Sequence, residues 1–201
     1  MQADSYLGIN DVYSSVYSKN SSKFLGFLFP IVSQEDYTEK VKKYKVEYSD
    51  SSHVCSACVM NIDRTFRHFN DDGEPSNSEG RPILNAILSS GLSFVGSVVI
   101  RYYGGKKLGI PGLIESYGEP AKITIEKSDL VQKLQKEIVI CSIDSGFAYH
   151  IYNFLSNNHK INFVRNVENK FELSVPRSMV MDVKMQLKKN KYLSGRRVTL
   201  C

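Results

Sequence analysis

The stretch Phe94 to Ile100 (Phe-Val-Gly-Ser-Val-Val-Ile) limits the fold more than any other part of this chain. It is short, almost continuously apolar and bounded by Gly91 and Arg101, so it reads as a strand. A strand apolar at successive positions presents apolar side chains to both faces of its sheet, and it is expected at the centre, covered on both sides. Two polar loops flank this element. Asn70 to Pro82 carries Asp71, Asp72, Glu74 and Glu79 with two glycines and two prolines, and Arg101 to Gly112 (Arg-Tyr-Tyr-Gly-Gly-Lys-Lys-Leu-Gly-Ile-Pro-Gly) follows the strand directly. Gly and Pro set an irregular backbone path, and Asp and Ser hydrogen-bond to nearby amides, so both loops are expected to be ordered and placed at one end of the sheet.

The remaining elements are read outward from that strand. Phe24 to Val32 and His53 to Ile62 are further strands. Between them Ser33 and Asp36 form a capping-box pattern for a helix whose buried stripe is Tyr37, Val41, Tyr44 and Tyr48. Lys40, Lys42, Lys43 and Lys45 fall largely off that stripe and read as a solvated face. Pro82 sits in the first turn of a helix ended by Gly91. A third helix opens at Pro111 or Gly112, and Glu119-Pro120 should kink or stop it before it resumes toward Lys127. Residues 128–136 are polar and mark a junction. Beyond it, strands at Ile138–Ile143, Ile161–Val164, Phe171–Val175 and Arg197–Leu200 alternate with helices from Gly146 and Pro176, in the order of a split β-α-β-β-α-β unit.

With 201 residues, 42% hydrophobic and 23% charged, the chain is expected to build ordinary packed cores rather than disorder. No apolar run approaches the ~20 residues needed to span a bilayer, and no basic-then-apolar leader is visible, so a cytoplasmic protein with no membrane partner is expected. The formal charge of +5 is unevenly spread. Residues 1–134 hold 15 Lys and Arg against 16 Asp and Glu, whereas residues 135–201 hold 11 against 5. That basic end suits a phosphate backbone or an acidic protein face, and equally a solvated lysine-rich surface.

Several chemistries compete for the loops. His53, Cys55 and Cys58 do not share one strand face, and no second ligand pair exists at zinc spacing, so no metal and no cofactor is expected. The carboxylates at Asp71, Asp72, Glu74 and Glu79 suit a divalent cation or acid–base work. Alternatively Asp71 and Asp72 cap backbone amides while Glu74 pairs with Arg81 or Arg101. The acidic run lacks EF-hand spacing, and the Gly104 to Gly109 run is neither a P-loop nor a dinucleotide fingerprint. Arg101, Lys106 and Lys107 with Tyr102 and Tyr103 combine cations with stacking faces that suit single-stranded RNA, or else serve as counter-ions to the acidic loop. Ser76 and Ser78 lack a nucleophile elbow, and Cys55 lacks an electropositive activator.

The motifs Asp71-Asp72-Gly73-Glu74-Pro75-Ser76, Gly80-Arg81-Pro82-Ile83-Leu84, Arg101-Tyr102-Tyr103-Gly104-Gly105-x-Lys107-Leu108-Gly109 and Gly112-Leu113 closely resemble the IMPACT/YigZ family, as does His53-x-Cys55-x-Ala57. The resemblance covers about residues 20 to 127. It implies an α+β protein. Residues 1–133 would form a ribosomal protein S5 domain 2-like α/β sandwich with helices on one sheet face, and residues 134–201 a ferredoxin-like domain. It also implies a translation-linked regulator, more a binder than an enzyme, whose partner is RNA, the ribosome or a translation-regulatory protein. The ligand-binding residues expected on this basis are His53, Asp71, Asp72, Glu74, Ser76, Arg81, Arg101, Tyr103, Lys106 and Lys107. An enzyme using Asp71, Asp72 and Glu74, with or without a metal, and a protein-interaction module that binds no nucleic acid are the alternatives. Two departures from the family pattern, Asn77-Ser78-Glu79-Gly80 and Pro111 to Tyr117, place Glu79 and Glu115 where they would add negative charge beside the loops.

Overall fold

A computed structural model describes residues 4–73, 78–143, 146 and 148–189. The apolar strand is the centre of a five-stranded sheet. In chain order the sheet's strands are β2 (Tyr13–Lys19), β3 (Ser22–Pro30), β4 (His53–Met60), β5 (Phe66–Asn70) and β6 (Val95–Tyr102). In space the order is β2-β3-β6-β4-β5, and every neighbouring pair is antiparallel. Helices α1 (Gln34–Glu47), α2 (Gly80–Ser90) and α3 (Gly109–Glu126) cover it.

The strand period of two sorts the core into two layers. Phe24, Leu28, Cys55, Ala57, Val59, Val95 and Val99 face one side, where Ile83, Leu84 and Ile87 of α2 and Leu113, Tyr117, Ala121 and Ile125 of α3 meet them. Phe29, Val54, Cys58, Val98 and Ile100 face the other, under Tyr37, Val41 and Tyr44 of α1. Helices therefore lie on both faces. The expectation of a single helical face holds for α2 and α3 only, because β4 and β6 are buried on both sides and need a second cover.

Local signals account for most boundaries. Ser33 caps α1 by accepting from the Asp36 amide at 3.2 Å, while the Asp36 carboxylate reaches back to the Val32 amide at 3.0 Å. Gly91 ends α2 in the left-handed conformation, φ 79°. The expected break at Pro120 does not occur, and α3 runs through it. The Pro120 carbonyl accepts from Ser15 Oγ at 2.9 Å and Thr124 Oγ at 2.6 Å, and apolar side chains are buried on both sides of the proline. The loss of one helical hydrogen bond, about 3 kcal/mol, is offset by that burial. Here α3 lies so close to β3 that a Cβ on Gly26 would stand 2.8 Å from the Pro120 oxygen. β2 and β5 carry weak sequence signals. β2 is serine-rich and β5 is charged, and each is an edge strand held by backbone pairing to one neighbour.

The chain divides into two units, residues 6–133 and residues 134 onward with residues 4–5. A separate two-stranded sheet pairs β1 (Ser5–Gly8) with β7 (Val131–Leu134). The second unit has an antiparallel sheet of order β8-β10-β9, formed by β8 (Lys136–Ser142), β9 (Asn162–Val167) and β10 (Lys170–Pro176). Helices α4 (Ala148–Ser156) and α5 (Val180–Lys189) close its core through Ile151, Val183 and Leu187 against Val139, Cys141, Phe171 and Leu173. The expected strand at Arg197–Leu200 lies outside the described residues. Lys188 and Lys189 sit in the last turn of α5, where cations favour the helix dipole.

Phe24→Ala should cost about 3–5 kcal/mol, since it empties a fully buried position under Tyr117. Val16→Ala, at a residue 60% exposed, should stay within about 0.5 kcal/mol. Urea unfolding followed by far-UV circular dichroism checks both, the chain having no tryptophan.

Candidate functional site

The antiparallel register of β4 and β6 sets His53 directly opposite Arg101 at one end of the sheet. The strand period turns both side chains toward α3. Above them the chain leaves β6, crosses a short glycine-rich loop and enters α3. Three bonds hold this loop: the Ser52 amide donates to the Arg101 carbonyl at 2.8 Å, the Tyr103 amide to Ser52 Oγ at 3.1 Å and the Gly104 amide to Ser22 Oγ at 3.1 Å. Gly104 is required by contact, because a Cβ there would lie 2.1 Å from the Ser21 carbonyl. The result is a cleft of about 600 Å³. His53, Arg101 and Lys107 are the polar and charged part of its lining, and Tyr103, Leu108, Ile110 and Leu113 the aromatic and apolar part. Arg101 is the penultimate residue of β6 rather than part of the loop, and it is 5% exposed. Its guanidinium carbon stands 5.7 Å from the Phe24 ring centroid and 5.3 Å from that of Tyr103, within cation–π range.

The acidic loop lies beside this cleft, and its described carboxylates bond to backbone amides and to side chains of β4 and α1. Asp71 Oδ1 accepts from the amides of Glu79 and Gly80 at 3.2 and 2.8 Å, and so occupies the N-terminus of α2 with a carboxylate. Asp72 Oδ2 accepts from the Val54 amide at 2.8 Å, its Oδ1 pairs with Lys45 of α1, and its own amide donates to Asn70 Oδ1 at 2.7 Å. His53 Nδ1 lies 3.3 Å from the Asp72 carbonyl oxygen. Lys45 is thus drawn out of the solvated lysine face and ties α1 to the acidic loop. Glu79 is fully buried, and Cys55 Sγ donates to its Oε2 at 2.9 Å and to the Asp71 carbonyl at 3.3 Å.

Burial, reinforced by the Glu79 carboxylate, pushes the Cys55 thiol far above its ordinary range, so it is a neutral donor and a poor nucleophile. Burial likewise raises Cys58 to about 12 and Cys141 to about 11. Cys58 packs on the α1 side of the sheet and Cys55 on the other. Among the described residues, no three His, Cys, Asp or Glu side chains converge as metal ligands.

Of the residues expected from sequence, the structure gathers His53, Arg101, Tyr103 and Lys107 around one cavity. Asp71 and Asp72 stand beside it as braces. Arg81 is exposed and stacks over Phe69 of β5, 5.9 Å from the ring centroid, and Lys106 is exposed and does not line the cleft. Glu74 and Ser76 lie outside the described residues, as does any pairing of Glu74 with Arg81 or Arg101. Glu115 turns to β2, where it pairs with Lys19 and accepts from Tyr17 Oη at 3.3 Å. The Lys19 hydrogen bond, with its positive charge, holds the Glu115 carboxyl below its usual range. Glu115 therefore adds no charge to the cleft lining. The apolar wall of Leu108, Ile110 and Leu113 was missed in sequence. Its signal was an apolar residue at every second or third position across the loop-to-helix junction.

Two outcomes test this account. Asp71→Ala should cost about 1–2 kcal/mol as the α2 cap is lost, and Asp71→Asn less, because an oxygen acceptor remains; urea unfolding distinguishes them. Cys55, Cys58 and Cys141 should resist alkylation in the native protein at pH 8 and react in urea, as mapped by mass spectrometry. Their raised folded pKa values mean that the unfolded chain loses thiol protons first, so stability should fall as pH rises past about 8.5.

Comparison with known proteins adds four findings. Residues 20–125 match the Impact N-terminal domain. The chain is similar to IMPACT family member YvyE of Bacillus subtilis, 29% identical over 168 residues that span 82% of this chain and 77% of that protein. It is also similar to IMPACT family member YigZ of Escherichia coli, 36% identical over 99 residues that span 48% of each. A crystal structure of a hypothetical protein shares the fold, with a TM-score of 0.75 at 23% identity over 96% of both chains.

Proposed function

The chain belongs to the IMPACT family, and from that premise we propose that it is a translation-linked regulator that binds RNA, free or on the ribosome, through the cleft between β6 and α3. One observation carries the reading: the cleft is lined by Arg101, Lys107 and His53, and no described carboxylate lines it, although an acidic loop runs alongside. Asp71 and Asp72 are held by backbone amides and Lys45, and Glu79 faces Cys55. None of the three lines the cavity, whose charged lining residues favour phosphate. Tyr103, 49% exposed, adds a face on which a base can stack. The same engagement weighs against acid–base or metal chemistry by Asp71 and Asp72.

We take the two units as domains of residues 1–133 and 134–201. The first is assigned to the ribosomal protein S5 domain 2-like class and the second to the ferredoxin-like class, in a cytoplasmic protein. No helix among the described residues is long and apolar enough to cross a membrane.

Gel shifts with ribosomal RNA, transfer RNA and single-stranded RNA test the reading. Binding should weaken steeply between about 50 and 200 mM salt, because phosphate contacts release counterions. Lys107→Ala should weaken it across all sequences and reduce the log–log salt slope by about 1. The absence of any shift at low salt would overturn the RNA reading. Nuclease-resistant capture of a defined translation factor would put a protein partner in its place.

A further inference from the structure

The two edges of the five-stranded sheet are built differently. β5 is five residues long and carries exposed Arg67 and His68, which discourage another strand from adding to it. β2 is seven residues long (Tyr-Ser-Ser-Val-Tyr-Ser-Lys), pairs with β3 without a register shift, and is charged only at its last residue, Lys19. It has no proline and no bulge, so it lacks the features that protect an edge from pairing.

The hairpin fixes which backbone groups of β2 face outward. Asn20 and Ser21 join β2 to β3 with φ of 48° and 67°, a two-residue turn with both central residues left-handed. In such a hairpin the flanking pair, Lys19 with Ser22, is hydrogen-bonded, and bonded pairs then alternate with unbonded ones. Tyr13, Ser15, Tyr17 and Lys19 therefore bond to β3, while Ser14, Val16 and Ser18 turn their amides and carbonyls away from it. The other edge of β3 agrees. Its odd-numbered residues serve β6, in line with the bond from the Ile31 amide to the Phe94 carbonyl at 2.9 Å, which leaves the even-numbered ones for β2. Among the described residues no backbone bond outside the sheet reaches Ser14, Val16 or Ser18, and all three side chains are exposed. They lie on the face opposite α3, because the alternating Ser15 and Tyr17 bond to Pro120 and Glu115 of that helix.

A second copy of the same strand fits this edge. When two copies run antiparallel about a two-fold axis with Val16 opposite Val16, Ser14 falls opposite Ser18 and Tyr13 opposite Lys19. This register is centred on the middle residue of β2 and engages the outward groups of all three residues on both strands. A slip of two residues in either direction leaves one of the three without a partner. The two Val16 side chains, each 60% exposed, then cover one another between pairs of serines. Charge fits the same register. The two Lys19 residues stand at opposite ends of the pair, and each lies opposite Tyr13 of the other copy, whose hydroxyl donates to Asp129 Oδ2 at 3.2 Å. A cation is thus brought toward a carboxylate, and no like charges of β2 meet.

We propose that two copies of this chain associate through β2, Val16 against Val16, and so join their five-stranded sheets into one continuous antiparallel sheet. The inference goes beyond the RNA reading and does not depend on the cleft.

Sedimentation equilibrium on the full chain between about 10 μM and 1 mM tests it, a range suited to an edge contact smaller than the ~1,600 Å² of a standard interface. The mass should rise from 22.8 kDa toward twice that value. Val16→Lys and Val16→Glu, at an exposed side chain, should each stay folded by circular dichroism. Each should weaken association about tenfold or more, because like charges then face one another. An equimolar mixture of the two should restore it. Mild oxidation of Val16→Cys should give a disulfide-linked dimer, since residues paired across an antiparallel ladder lie within disulfide reach. Val12→Cys, similarly exposed at 59%, should not, because its two copies would lie roughly 26 Å apart along the strands. The unsubstituted chain controls for its own thiols. A mass that stays at one chain up to the highest concentration overturns the proposal. So does a dimer that persists in both charged variants, or one that cross-links through Val12→Cys as readily as through Val16→Cys. Each of these failures leaves the RNA reading standing, since the gel shifts report on it separately.

Discussion

Burial of β6 on both faces is the constraint from which the rest of the first unit follows. Val95 and Val99 need cover on one side and Val98 and Ile100 on the other, so α2 and α3 take one face and α1 the second. Each fully buried side chain of this size is worth roughly 1.5–3 kcal/mol, which makes the central strand the least movable part of the sheet. Arg101 is carried along by this arrangement. It continues the alternation of Val95, Val99 and their face, so its side chain must enter the layer below α3. There its long apolar stem packs and its guanidinium lies between two aromatic rings.

The acidic loop has a structural purpose that its composition conceals. A carboxylate at the N-terminus of α2, a second on the Val54 amide and a lysine drawn from α1 connect the loop to all three layers. Gly80 permits the close approach, since a Cβ there would stand 2.8 Å from the Asn70 carbonyl oxygen. The Asp71 and Asp72 carboxylates are thereby held against backbone amides and a cation.

Local patterns were legible where a physical signal is local. The Ser33 cap, the Gly91 stop, the Tyr37 to Tyr48 stripe and the apolar β6 are visible in the residues themselves, and the compound motif of the two loops identified the family. β2 and β5 were not legible, because a serine-rich or charged edge strand is selected by its neighbour's unpaired backbone groups and not by its own side chains. Pro120 misled for a related reason. A proline's cost is local, while the burial of Leu113, Tyr117, Ala121 and Ile125 that overrides it is not.

The amino-acid sequence by itself determined which residue types are available at the site: Arg101, Tyr103 and Lys107 after one strand, His53 at the head of another, and carboxylates in the loop between. It could not decide which of these charges meet. Register decided that His53 faces Arg101, strand alternation decided that Arg101 is buried, the loop beyond β6 left Lys106 exposed, and the position of α2 decided that Asp71 serves as a cap. Electrostatic interactions fall off over a few ångströms and depend on desolvation. The character of the cleft is therefore a property of distances that only the folded chain contains.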